Sequence, residues 1–240
     1  MSEHVVQWAV LVLCIVFALL RLPDAIRGRG RAVFIALVLL VFAVGLSLPQ
    51  FYLPIDRLLG GVNIANLLIR LSLYAIFVVL GIRIAAAFRS ARTRWLIVGP
   101  IGLSVLAVVA LSTVALFILS DLPESSTGLV AYGDQETVRL YAEAGRLYPG
   151  YVAACLVLPA LKGLADSTGR PAHRAASALL AVGFGAVLVF AVVRLAVGSH
   201  LGVWEIGLPF GAILLVTSGL TIIWASRRRT ELAPRGNQLA

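Results

Sequence analysis

The sequence predicts an all-α, polytopic membrane protein: a bundle of seven transmembrane helices with the N-terminus outside and the C-terminus in the cytoplasm. Two observations carry that expectation. Seven long apolar segments run through the chain, and nearly all the basic residues fall in alternate connections between them. Crossing a hydrocarbon core of about 30 Å takes on the order of 20 helical residues. Lipid forces such a segment to be helical, because it offers no partner to a free backbone N–H or C=O. Composition agrees: the chain is 60% hydrophobic and 13% charged with mean hydropathy +0.99, which excludes a soluble domain of 240 residues.

The first segment, Val5–Leu20, follows Met1–His4, which carry Glu3 and no positive region. No small-residue cleavage site follows it, so it reads as a retained helix and not a signal. The inner turn Arg21–Arg31, punctuated by Pro23, Gly28 and Gly30, leads to the second segment, Ala32–Leu48. Pro49–Asn63 then mixes Phe51, Tyr52, Leu53, Ile55, Leu58 and Leu59 with Asp56 and Arg57. It reads as a short amphipathic piece on the outer surface, ended by Gly60-Gly61. Its apolar side chains belong at headgroup level, with Asp56 and Arg57 facing water or pairing with polar groups on top of the bundle. The third segment is Ile64–Ala87, and the fourth, Trp95–Leu119, is bent near its start by Pro100. Between the fourth and fifth, Ser120–Thr137 carries Asp121, Glu124, Asp134 and Glu136; its Ser125–Gly128 stretch reads as a mobile partial cap of the outer face. The last three segments are Val138–Leu161, Ala175–Gly198 and Gly202–Ser226. Residues 1–226 thus form one membrane domain, and 227–240 a basic cytoplasmic tail.

The net charge of +9 raises the question of nucleic acid, and its placement answers against it. Fifteen of the twenty basic residues, and three acids, lie in or beside the turns after segments one, three and five and in the tail; the opposite side has five basic and eight acidic residues. That asymmetry is the positive-inside pattern, and the basic rim suits anionic lipid headgroups.

Charges a turn or two inside a helix are costly and are usually functional or paired. Five stand out as ligand-binding candidates: Arg70, Glu143, Arg146, Arg194 and Glu205, all toward the outer ends of their helices. Arg70 lies about six residues into its helix, a depth of roughly 9 Å. Glu136, Arg139, Glu143 and Arg146 recur at spacings that place them on one face, with Tyr141 and Tyr148 a heptad apart on a neighbouring one. The simplest arrangement is an outward-opening polar cavity in which Arg70 and Arg194 face Glu143 and Glu205; snorkelling helix ends are the plainer alternative. Pro209 frees the carbonyl of Glu205 and makes Glu205 the expected central acid. Gly183-Phe184-Gly185, and Gly150 with Ala154, read as close helix contacts.

No catalytic constellation is present: HExxH, Gly-x-Ser-x-Gly and a P-loop are all missing from the chain. The single lysine, Lys162, is misplaced for a retinal site in the last helix. Cys14 and Cys155 are isolated and read as small packing residues. Neither an enzyme, a metal nor a cofactor is expected. An odd helix count also permits a 3+1+3 plan, with helices 1–3 and 5–7 running in the same directions.

The inner Arg-rich turn, the helix ending in Ser47-Leu48-Pro49, the run Asp56-Arg57-Leu58-Leu59-Gly60, and Asn63-Ile64-Ala65-Asn66-Leu67-Leu68 resemble an uncharacterised actinobacterial membrane family. Ser120–Pro123 (SDLP), with Tyr141 in a polar helix start, is also similar to it. Members are commonly labelled as candidate transporters. The resemblance implies a seven-helix domain usually followed by a sizeable cytoplasmic region, whereas this chain has 14 residues after Ser226. The expectation is a non-enzymatic plasma-membrane protein, a sensor or regulatory component that recognises a small ligand or a membrane or cytoplasmic partner through the outer polar cluster. The alternatives are a small-solute transporter and a structural membrane subunit. Its constant partner is the lipid bilayer.

Overall fold

Every described segment that is long and apolar is a helix. The computed structural model describes residues 3–197, 202 and 204–232. The described residues are 85% helical, with no strand among them. The helices are α1 (Glu3–Ile26), α2 (Arg31–Gly45), α3 (Pro49–Leu58), α4 (Ile64–Ala87), α5 (Ala91–Val98), α6 (Pro100–Leu119), α7 (Glu136–Ala165), α8 (Pro171–Val197) and α9 (Trp204–Leu232), with a 3₁₀ turn at Thr127–Tyr132. Among the described residues six spans are long and apolar enough to cross a membrane, or seven if α2 and α3 are counted together. The architecture is therefore that of a helical membrane bundle.

The second expected span differs. α2 has 15 residues, about 22 Å of rise, which is short of a hydrocarbon core. It breaks where Leu48 turns extended ahead of Pro49, the conformation that a following proline imposes. α3 then departs at 96° from α2 and crosses the end of the bundle. The fourth span is also jointed. Gly99 is extended before Pro100, so α5 and α6 share one span of 29 residues with a break at its start. α9 continues through Leu232, so Arg227–Arg229 extend the last helix instead of starting a tail. Residues 233–240 of the expected tail lie outside the described residues, as does the expected end of the sixth segment at Gly198.

The packing order gives α1, α2 and α4 as one arc and α7, α8 and α9 as another. α4 meets α7, and α9 meets α1, so the arcs close into a ring; α5 and α6 lie against α4 and α7. Small residues set the closest approaches. A Cβ on Gly150 of α7 would come 2.9 Å from the Ala191 methyl of α8, and one on Gly183 of α8 would come 2.8 Å from Val216 of α9. Gly150 and Gly183 serve as the expected contact points, because a missing side chain lets helices pack closely in lipid, whereas Gly185 meets nothing within 4 Å and is no contact point. The core is centred on α7: Tyr148, Val152, Ala153 and Leu156 are wholly buried beside Ile84, Leu180 and Phe184.

Candidate functional site

The five expected charges come together at one end of α4, α7, α8 and α9, though not all in the expected pairs. Glu143 binds Arg146 one turn on along α7 at 2.5 Å. Arg194 of α8 binds Glu205 of α9 at 2.5 Å and reaches Glu143 at 3.8 Å. A chain of alternating charge therefore ties α7, α8 and α9 together. These side chains are 12–34% exposed, so the pairs are partly shielded from solvent. Such pairing recovers part of the cost of burying each charge.

Arg70 stands apart from that chain. Its guanidinium stacks on the Tyr141 ring at 4.2 Å and reaches the Ala142 carbonyl at 3.5 Å, the long limit of a hydrogen bond. Its Nε is buried with no hydrogen-bond partner among the described residues. Gly145 makes the space: a Cβ there would overlap the guanidinium. The expected facing of Arg70 to Glu143 or Glu205 is thus replaced by an aromatic seat. Tyr141 is fixed for that role by its own hydroxyl, which donates to Asn66 at 2.9 Å.

Below the cluster lies a cavity of about 230 Å³ between α2, α4, α7, α8 and α9. Arg70 and Arg146 line its charged end, while Leu73, Phe77, Phe184, Phe190, Ile213 and others make its walls apolar. Phe190 carries Arg146 over its face at 5.6 Å. Pro149 and Pro209 both line the cavity, so the proline expected to free the Glu205 carbonyl borders this space. Glu143, Arg194 and Glu205 do not line it. Glu205 is therefore a partner that holds Arg194 in place, and the cavity itself presents cations over an apolar body.

A second polar construction was only partly legible. Asp56 is fully buried, not facing water. It accepts the backbone N–H groups of Asn63 and Ala65 at 2.9 Å each and the Ser125 hydroxyl at 2.6 Å. Asn63, with φ 64, leads into α4 and ties down the connection between α6 and α7: its side chain accepts from Tyr52 at 2.9 Å and from the Ser126 N–H at 2.7 Å, and donates to the Glu124 carbonyl at 2.7 Å. The Ser125–Gly128 stretch expected to be mobile is thus pinned at Ser125 and Ser126. The signal for this was the pairing of Asp56 and Asn63 on either side of Gly60-Gly61, a spacing suited to a side chain that caps the next helix.

No family model, no curated protein and no solved structure matches this chain.

Proposed function

We propose that the protein is a non-enzymatic plasma-membrane component, sensory or regulatory, that takes a small amphipathic anion into the cavity below the outer polar cluster. The observation that supports it most is the cavity itself: two guanidiniums at one end of an apolar space, with an unsatisfied Arg70 Nε among them. At about 230 Å³ it falls a little below the about 300–1,000 Å³ of drug-sized sites, which suits a short apolar chain bearing one acidic group. The charge asymmetry of the connections favours an orientation with this cluster outside.

A transporter is the second reading, favoured first by how close two pockets approach each other. Leu80 and Thr217 line the deep end of this cavity, and Ile84 and Leu220 line a pocket at the other end of the bundle. Only three or four residues of α4 and α9, about 5–6 Å of rise, separate them. The likeness of Leu22–Leu68 to proteins labelled as candidate transporters supports the same reading, as does the grouping of helices into two arcs of three.

Labelled octanoate tests both. It should bind saturably to the purified protein in neutral detergent, and Arg70→Gln should weaken binding about tenfold or more, the worth of a lost charge-assisted hydrogen bond. Octanol should bind no better to the native protein than to the variant. Equal binding of acid and alcohol would sink the anion reading. Octanoate exchange across proteoliposomes would select the transporter over the sensor.

A further inference from the structure

We propose that the pocket at the opposite end of the bundle is a binding site for a phosphate-class anion, either the headgroup of an anionic phospholipid or the free ion. It has a volume of about 370 Å³ and lies where the ends of α1, α4 and α9 meet the start of α2. Arg21, Arg27, Arg29, Arg83 and Arg228 line it, and among the described residues Asp24 is the single acid there. That acid is already engaged, because it accepts the Trp224 indole N–H at 2.7 Å.

Arg21 marks the pocket as a built site. It is only 8% exposed, although it belongs to a residue type rarely buried without a partner. One amino group donates to the Leu220 carbonyl at 2.7 Å and the guanidinium stands 5.7 Å from the Trp224 ring centre. Its Nε is buried with no hydrogen-bond partner among the described residues. Arg228 also lies over the Trp224 ring, at 5.3 Å, so the indole holds two cations at the pocket.

Cations gathered this closely repel one another unless an anion sits among them. A phosphate supplies several acceptor oxygens, and the guanidinium fork matches it in shape as well as charge. The location fits the lipid source: the pocket opens where helices end, at headgroup depth, and Val33, Ile84 and Ile223 give it an apolar side along which an acyl chain can lie.

The test uses the purified full-length protein in neutral detergent at constant ionic strength, with the thermal unfolding midpoint as readout. Phosphatidylglycerol, phosphatidylcholine with the same chains, and inorganic phosphate are titrated separately. The anionic lipid, the free ion or both should raise the midpoint, and phosphatidylcholine should not. A rise with phosphatidylglycerol alone assigns the headgroup; an equal rise with inorganic phosphate assigns the free ion. The double variant Arg83→Gln with Arg228→Gln, both exposed and so cheap to replace, should need about tenfold or more ligand for the same shift. Arg92→Gln, exposed at the same end but outside the pocket, should change nothing. If the double variant does not fold, the exposed Arg27→Gln alone is read in the same way. No shift with either anion, or an equal loss in Arg92→Gln, would overturn the site.

Discussion

Tyr148 is wholly buried, edge-on to Tyr74 with ring centres 5.8 Å apart, and its hydroxyl has no hydrogen-bond partner among the described residues. Leaving such a group unsatisfied costs about 1–3 kcal/mol. Tyr148→Phe should therefore keep or raise the thermal unfolding midpoint. Tyr74→Phe should lower it by an amount equivalent to about 1 kcal/mol, because its hydroxyl meets Thr113 at 2.8 Å. Equal losses in the two variants would mean that Tyr148 has a partner. At this scale the sequence shows which side chains are costly but not how each is accommodated. The 3-and-4 spacing on α7 puts Glu143 and Arg146 on one face, and they pair there. It cannot show that Gly145 opens a slot for Arg70, since that depends on how α4 is rotated against α7. A glycine inside an apolar helix looks the same whether it admits a neighbouring methyl, as Gly150 does, or a neighbouring guanidinium.

The element hardest to read was the α2–α3 pair. Apolar length alone carried the second segment to Leu48, whereas Leu48-Pro49 stops the helix early and turns it across the bundle. Proline was visible in the sequence; the angle of the bend was not. The same region contains the most consequential polar side chain outside the five expected charges. Asp56 closes the loop onto the start of α4 with two backbone bonds and reaches across to Ser125. Asp56→Ala should cost about 3 kcal/mol, combining a lost cap with lost bonds to a buried carboxylate. Ser125→Ala should cost less, because it removes one of those bonds. Chemical unfolding in detergent compares the two. A loss for Asp56→Ala no larger than for Ser125→Ala would mean that α4 is capped by something else.

For the whole molecule, hydropathy gave the helical class and all but one of the spans, because both follow from the solvent. It could not give the order of neighbours. The ring of two arcs depends on matching surfaces, such as Gly183 against Val216, that periodicity alone does not reveal. Orientation rests on the arginine asymmetry. A reporter active only in the cytoplasm should work when fused after Ala240 and be silent when inserted after Gly133, an exposed position clear of the pinned Ser125 and Ser126. The reverse result would invert the protein and exchange the inner and outer assignments of both pockets. Closure of the ring through α1 and α9 also has a consequence for how the protein is made. Arg21 and the Leu220 carbonyl that receives it are 199 residues apart. At about 5–20 residues per second, roughly 10–40 s pass between their emergence from the ribosome. For that interval Arg21 lacks the carbonyl that receives it, so the seat of this buried cation is completed only when α9, the last helix, arrives.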